Sequence, residues 1–200
     1  MGKASNPLLG KRFEEALVLA ARLHRTQTRK AKEVPYVAHL MAVASMVLEC
    51  GGGEDEAIAA LLHDAPEDQG GERVLAEIRE RFGARVAGIV EECSDSLVDS
   101  AEEKKAPWRE RKESFLAALA AASESCRLVV ACDKLHNLRD VLADHERFGD
   151  EVFERFSGKR DGTAWYYREA ARILRADDNR AARELSLASS ELDSRLGIDP

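Results

Sequence analysis

The five prolines of this chain stand at positions 7, 35, 66, 107 and 200, so long stretches of sequence are free of the residue that most strongly breaks helices. Alanine, leucine, glutamate and arginine dominate those stretches, and runs of β-branched residues are scarce. Apolar residues recur at three- and four-residue spacing, for example at Phe13, Ala16, Leu17 and Ala20. The sequence therefore predicts an all-α fold, a helical bundle in a single domain.

The same periodicity predicts where the helices lie. We expect helices over 11–26, from Pro35 to the glycines at 51–53, and over 54–62, 72–82, 84–93, 108–122, 124–146, 163–176 and 179–196. Residues 94–107 combine turn formers, charges and a proline without periodicity, which predicts a loop. We divide the chain into a leader at 1–10, a main domain at 11–177 and a C-terminal helix at 178–200.

Size and charge limit the partners of the chain. At 200 residues with 44% hydrophobic residues, it can bury a core without the help of a disulfide or a metal. Acidic residues outnumber basic ones, 37 to 30, and the net charge of −7 repels nucleic acid and anionic lipid, so we expect neither as a partner. Four cysteines without a CxxC pair, no export signal and no long apolar run predict a soluble cytoplasmic protein. The apolar stripe of the last helix leaves a homo-oligomer open.

The segment AIAALLHDAPED places four ionisable residues at the end of an apolar helix: His63, Asp64, Glu67 and Asp68. Unpaired charge is costly to bury, and a bound cation offsets that cost. Helical spacing would put His63 beside Glu67 and Asp64 beside Asp68. Pro66 is predicted to break or kink the helix there and to change where Glu67 and Asp68 point. A solvated helix end is the alternative, but the adjacent His-Asp pair favours a metal site.

Two more polar groups interrupt apolar stretches. His39 lies in PYVAHLMAVASM, and Asp133 ends LVVACD, with Asn137 four residues later. Two imidazoles with carboxylates suit a first-row divalent ion; oxygen ligands favour Mn²⁺ or Mg²⁺, while Zn²⁺ or Fe would also fit.

These residues carry a resemblance to a known family. The order His39, His63-Asp64, Asp133 resembles the H…HD…D signature of the HD-domain metal-dependent phosphohydrolases. The HDxxED form at 63–68, with DKLHNLR at 133–139 and HRTQTRK…PYVAH at 24–39, resembles the hydrolase domain of RelA/SpoT proteins over roughly residues 10 to 175. The short chain is similar to stand-alone small alarmone hydrolases, including the metazoan ones.

The resemblance implies a role for each matching residue. It implies one Mn²⁺ held by His39, His63, Asp64 and Asp133, and an attacking water oriented and deprotonated by Glu67 and Asp68. It implies a purine nucleotide with a 3′-diphosphate as substrate, such as ppGpp or ppApp, which loses pyrophosphate. The implied substrate-binding residues are Arg29 on the purine face, Lys30 on phosphate, Asn137 near the ribose, Lys104, Lys105 and Arg109 toward the distal diphosphate, and Tyr166 near the nucleotide.

Two alternatives remain open at this point. One is another HD phosphohydrolase, acting on nucleoside mono- or triphosphates, cyclic nucleotides or NADPH. The other is a noncatalytic nucleotide sensor. The basic pair Arg29-Lys30 argues against a generic nucleotidase, and the acidic pair Glu67-Asp68 argues against a sensor, because a binding module does not need to activate water.

Overall fold

The computed structural model describes residues 8–95, 97 and 106–198, and within these ranges the chain is helical, apart from one isolated bridge between Thr28 and Pro35. The all-α prediction is confirmed. The helices are α1 Lys11–Leu23, α2 Val37–Glu49, α3 Glu54–Leu62, α4 Ala65–Gln69, α5 Gly71–Phe82, α6 Ala84–Cys93, α7 Trp108–Leu119, α8 Glu124–Phe148, a 3₁₀ helix Gly149–Arg155, α9 Lys159–Leu174 and α10 Arg180–Arg195.

Several predicted helix ends were wrong. The first helix ends at Leu23 rather than 26, because the chain turns at His24 to form the bridge between Thr28 and Pro35. The helix that begins at Trp108 ends at Leu119 rather than 122. After Leu119 the backbone hydrogen bonds connect residues three apart, as in a turn, rather than four apart. The helix predicted over 163–176 begins four residues earlier, at Lys159. Most of the predicted loop at 94–107 lies outside the described residues.

Pro66 does break the helix, as predicted. Helix α3 ends at Leu62, and the short α4, which the periodicity did not predict, begins at Ala65 with Pro66 in its first turn. A proline is tolerated there because the first turn of a helix has no partners for its N–H groups. His63 and Asp64 therefore lie in the two-residue junction between two helices.

Helix α8 runs through the middle of the bundle and packs against α2, α3, α6, α9 and α10. Its buried residues include Val129, Leu135 and Leu138, which belong to the main hydrophobic core. The C-terminal α10 packs on α8 and α9 and adds Leu185 and Leu192 to that core. Because α8 also contacts α2 and α3, the polar residues on these three helices are brought to one place.

No helix in the described ranges is both long enough and apolar enough to span a lipid bilayer.

Candidate active site

Two histidines and two aspartates, from two helices and the junction of α3 and α4, lie close together. His39 comes from α2, His63 and Asp64 from the junction, and Asp133 from α8. The Nε2 of His39 lies 3.2 Å from an Asp133 oxygen and 3.7 Å from an Asp64 oxygen, and the Nε2 of His63 lies 3.1 Å from Asp64 and 3.6 Å from Asp133. The four residues that the sequence singled out as metal ligands are therefore adjacent.

The protonation of His63 can be inferred from its partner. Its Nδ1 lies 2.8 Å from the backbone carbonyl of Ala60, which can only accept a hydrogen bond, so Nδ1 carries the proton. In the neutral ring Nε2 is then a bare acceptor, the form in which it can ligate a cation. Within the described part of the chain, the Nε2 atoms of both His63 and His39 are buried without a hydrogen-bond partner. Ligand atoms of His39, His63 and Asp64 lie within 4.8 Å of one another, and Asp133 lies beside the two histidines, an arrangement that fits a divalent cation.

Neighbouring side chains hold the two carboxylates in place. Asp133 is 4% exposed and accepts hydrogen bonds from Lys134 at 2.6 Å and from Asn137 at 2.5 Å. Asp64 accepts a hydrogen bond of 2.5 Å from the Tyr36 hydroxyl, and burial together with the Asp64 charge raises the pKa of Tyr36. Lys134 was not predicted as a site residue. Its place directly after Asp133, next to an apolar run, was a signal in the sequence that it lies partly buried beside that carboxylate.

Glu67 lines the same small cavity as three of the metal-ligand candidates, His63, Asp64 and Asp133. One of its carboxylate oxygens accepts a hydrogen bond of 2.5 Å from the backbone N–H of Asp95. Burial, followed by the charges of Asp95 and Asp64, raises the pKa of Glu67 to about 7. A carboxylate with such a pKa can both take up and release a proton near neutral pH.

Asp95 is a structural residue that the sequence did not reveal. Its side chain is 2% exposed and forms ion pairs of 2.5 Å with Arg111 and with Lys112. Both cations belong to α7, so these ion pairs tie the end of α6 to α7 beside Glu67. Asp68, by contrast, is exposed and accepts a hydrogen bond of 2.8 Å from Gln27 at the mouth of a second cavity.

The second cavity adjoins the first and measures about 490 Å³. Four of the predicted substrate-binding residues line it: Arg29, Lys30, Asn137 and Tyr166. Arg29 donates hydrogen bonds to Asn137 at 2.8 Å and to Asp140 at 3.3 Å. Arg29 is therefore tied to α8 through Asp140 and through Asn137, which also donates to Asp133.

Three further cations line the second cavity, and the sequence did not predict them: Lys112, Lys134 and Arg155. The ammonium groups of Lys112 and Lys134 lie over the ring of Tyr166, at 5.0 Å and 5.5 Å from its centre. These residues come from three distant parts of the chain, so packing rather than sequence spacing brings them together. The result is a positively charged wall in an acidic protein, which suits an anionic ligand.

Arg109 is not brought to this site. Its guanidinium stacks over the Trp165 ring, 3.3 Å from the ring centre, and forms an ion pair with Glu113 at 2.7 Å. It lines a different cavity of about 770 Å³. Lys104 and Lys105, predicted with it, lie outside the described residues.

The sequence analysis assigned no role to His136. Its Nδ1 lies 2.9 Å from the Nδ1 of His39, so it contacts a metal-ligand candidate directly. His24, the first residue of the 24–39 block, stacks on Tyr36 with ring centres 5.2 Å apart and forms a hydrogen bond with Gln27 at 2.7 Å.

A family profile described as HD domain matches residues 16–164. The chain belongs to the HD domain family, and the fold and the His-His-Asp cluster agree with that membership.

Within the family, the chain resembles particular hydrolases. It is 39% identical over 130 residues to the guanosine-3′,5′-bis(diphosphate) 3′-pyrophosphohydrolase MESH1 of Homo sapiens, an alignment covering 64% of this chain and 68% of the human protein. The Drosophila melanogaster protein of the same name is 38% identical over 133 residues, covering 65% and 69%. A solved structure described as a metazoan ortholog of SpoT that hydrolyzes ppGpp superposes with a TM-score of 0.73 at 31% identity, covering 98% of this chain and all of the other.

Proposed function

We propose that the protein is a metal-dependent hydrolase that removes the 3′-diphosphate of ppGpp as pyrophosphate. The observation that carries this proposal is the pair of buried, unpartnered imidazole nitrogens that face two carboxylates next to a cavity with a basic lining. The relatives named for this activity support the choice of reaction.

His39, His63, Asp64 and Asp133 hold the metal, and we propose Mn²⁺ because two of the four ligands are carboxylates. The bound cation supplies Lewis-acid stabilisation of phosphoryl charge and lowers the pKa of water. Tyr36, Lys134 and Asn137 restrain the two carboxylates through their hydrogen bonds. Partners of this kind orient metal ligands and strengthen metal binding.

Glu67 accepts the proton of the attacking water. Its position in the metal cavity and its pKa of about 7 suit a general base near neutral pH. The water oxygen adds to the phosphorus bonded to the ribose O3′, and the bond from that phosphorus to O3′ breaks. O3′ leaves with the nucleotide and takes up a proton to become a hydroxyl, and pyrophosphate is released carrying the water oxygen. Asp68 lies at the adjoining nucleotide cavity, and we assign it a role in orienting the water and the substrate.

The 490 Å³ cavity takes the nucleotide. Arg29, tied to Asn137 and Asp140, offers a planar cation for stacking on the purine. Lys30, Lys112, Lys134 and Arg155 supply positive charge for the phosphates. An arginine that stacks on a ring face accepts guanine and adenine alike, so we expect ppApp to be hydrolysed as well.

The test is a parallel incubation of the Mn²⁺-loaded protein with ppGpp, ppApp, GTP, dGTP and NADPH, with products separated by anion-exchange chromatography. We expect pyrophosphate from the two 3′-diphosphates. Turnover of only the other compounds would replace the substrate but keep the hydrolase. Tight nucleotide binding without any turnover would replace the enzyme with a sensor.

A further inference from the structure

His136 contacts the metal site without being a ligand candidate. We propose that His136 is a positioning residue that accepts a hydrogen bond from the Nδ1–H of His39 and thereby leaves the Nε2 of His39 bare for the metal. The inference rests on the metal site of the proposed function but not on the identity of the nucleotide.

The contact between the two rings requires one shared proton. The two Nδ1 atoms are 2.9 Å apart, and the ring centres are 4.8 Å apart. At that distance one nitrogen donates and the other accepts. If His39 donates, its proton is on Nδ1 and its Nε2 can ligate a cation. If His136 donates to a neutral His39, the proton of His39 is on Nε2, which points toward Asp133 at 3.2 Å and cannot ligate.

His63 shows why only His39 needs such a partner. The tautomer of His63 is fixed by the backbone, because the Ala60 carbonyl can only accept. The partner of His39 is a side chain that can either donate or accept. Whether the Nε2 of His39 can bind metal therefore depends on whether the Nδ1 of His136 accepts or donates the hydrogen bond.

His136 is suited to the accepting role. It is partly exposed, and the hydrogen bond described for its ring is the one at Nδ1. A proton on that outer nitrogen can be solvated by water, which leaves Nδ1 as an acceptor. The arrangement is a histidine pair in which the outer ring fixes the tautomer of the inner ring, as carboxylates and carbonyls do for other metal-ligating histidines.

The test compares His136→Phe with His136→Asn by calorimetric titration with Mn²⁺ alone, without nucleotide. Phenylalanine keeps a planar ring but accepts no hydrogen bond, and we expect it to weaken Mn²⁺ binding by roughly 10- to 100-fold. Asparagine offers an amide oxygen at the δ position that Nδ1 occupies in histidine, and we expect it to restore binding close to that of the wild type. His145→Phe, on the same helix but bonded to Asp150, is the matched control with unchanged Mn²⁺ affinity.

Two results of this titration would overturn the proposal. One is wild-type Mn²⁺ affinity in a folded His136→Phe protein, and the other is an equal loss in both His136 variants. At saturating Mn²⁺ we expect the kcat of His136→Phe to recover, because His136 acts only through His39; a kcat that stays low would assign it a different role.

A second measurement needs no variant. Nitrogen-15 spectra of the Zn²⁺-loaded wild-type protein report which nitrogen of each imidazole bears the proton. We expect the proton of His39 on Nδ1, and an unprotonated Nδ1 would contradict the proposal. Because neither measurement involves nucleotide, failure of ppGpp hydrolysis and failure of this inference can be told apart.

Discussion

Glu67 illustrates how much of the chemistry depends on single side chains. It faces the metal cavity, and burial with two nearby carboxylates keeps its proton affinity high. A general base must be ionised to accept a proton, so a carboxyl group with a pKa near 7 is competent above that pH and loses competence below it. Bound metal, being positive, moves this transition downward.

We expect Glu67→Gln to retain Mn²⁺ while kcat falls by about 10²- to 10⁴-fold, since the amide cannot accept the proton. The kcat of the wild type should fall as the pH drops through about 7 or below, and the variant should lack this acidic limb. Steady-state kinetics across pH measure both effects, with exposed Glu72→Gln as the control. An unchanged kcat in Glu67→Gln would transfer the role of base to another group.

A substitution at Arg29 should change substrate binding, measured as KM, more than turnover, measured as kcat. We expect Arg29→Ala to raise KM by roughly 3- to 30-fold with a smaller effect on kcat, because a cation stacked on a ring contributes about 0.5–2 kcal/mol. Arg25 also lies between α1 and α2 but is exposed. The Arg25→Ala variant removes the same charge away from the cavity and should leave KM unchanged. Equal kinetics for the two variants would remove the stacking role from Arg29.

The position of helix α7 depends on its close approach to the start of helix α9. The Trp108 ring at its start packs against two glycines near the start of α9: a Cβ added at Gly158 would lie 2.6 Å from the ring, and one at Gly162 would lie 3.1 Å from it. Only a residue without a side chain fits so near an indole. Because α7 also carries Arg111 and Lys112, its docking positions the cations beside Glu67.

We expect Gly158→Ala to destabilise the protein by about 1–3 kcal/mol through this overlap, and to raise KM because Lys112 shifts with α7. Gly88→Ala is the matched control: it lies inside α6, a Cβ there meets nothing within 4 Å, and alanine stabilises a helix interior by up to about 1 kcal/mol. Chemical denaturation of both variants measures the difference. Equal stability would mean that Trp108 moves aside at no cost.

At the scale of the whole molecule, the metal site joins the consecutive helices α2 and α3 to α8, which is distant from them in sequence. The ligand candidates His39, His63 and Asp133 belong to or adjoin α2, α3 and α8, and they come together only in the folded chain. A cation bound to them therefore stabilises the folded state and not the unfolded state.

Removal of Mn²⁺ with a chelator should therefore lower the melting temperature. At a metal concentration of 100 times Kd the lost binding free energy is about 2.7 kcal/mol, which corresponds to about 5–10 °C for a chain of this size. Asp133→Asn, which weakens the site, should show a much smaller response to the chelator. A melting temperature that does not respond in the wild type would contradict metal binding by these residues.

The fold was largely predictable because helical periodicity is a local signal: the bounds of α3 and α6 agree with it. The 3₁₀ helix Gly149–Arg155 and the short α4 were missed, since elements of one or two turns show no period. In the site, the ordered His and Asp blocks predicted the cluster. Tyr36, Asp95 and Lys112 could not be predicted, because each acquires its role from a partner 16 or more residues away.

Helix α8 carries Asp133, Asn137 and Asp140 at intervals of four and three residues, so one straight row joins the metal cluster to the anchor of Arg29. One residue added to or removed from this row would rotate everything beyond it by about 100° around the axis. Asn137 and Asp140 would then turn away from Arg29 while Asp133 stayed in place. The number of residues between positions 133 and 140 of α8 therefore fixes where the metal site lies relative to the nucleotide cavity. We expect substitutions on the opposite face of α8 to be tolerated. An insertion or deletion between positions 133 and 140 would separate the metal ligands from the residues that hold Arg29.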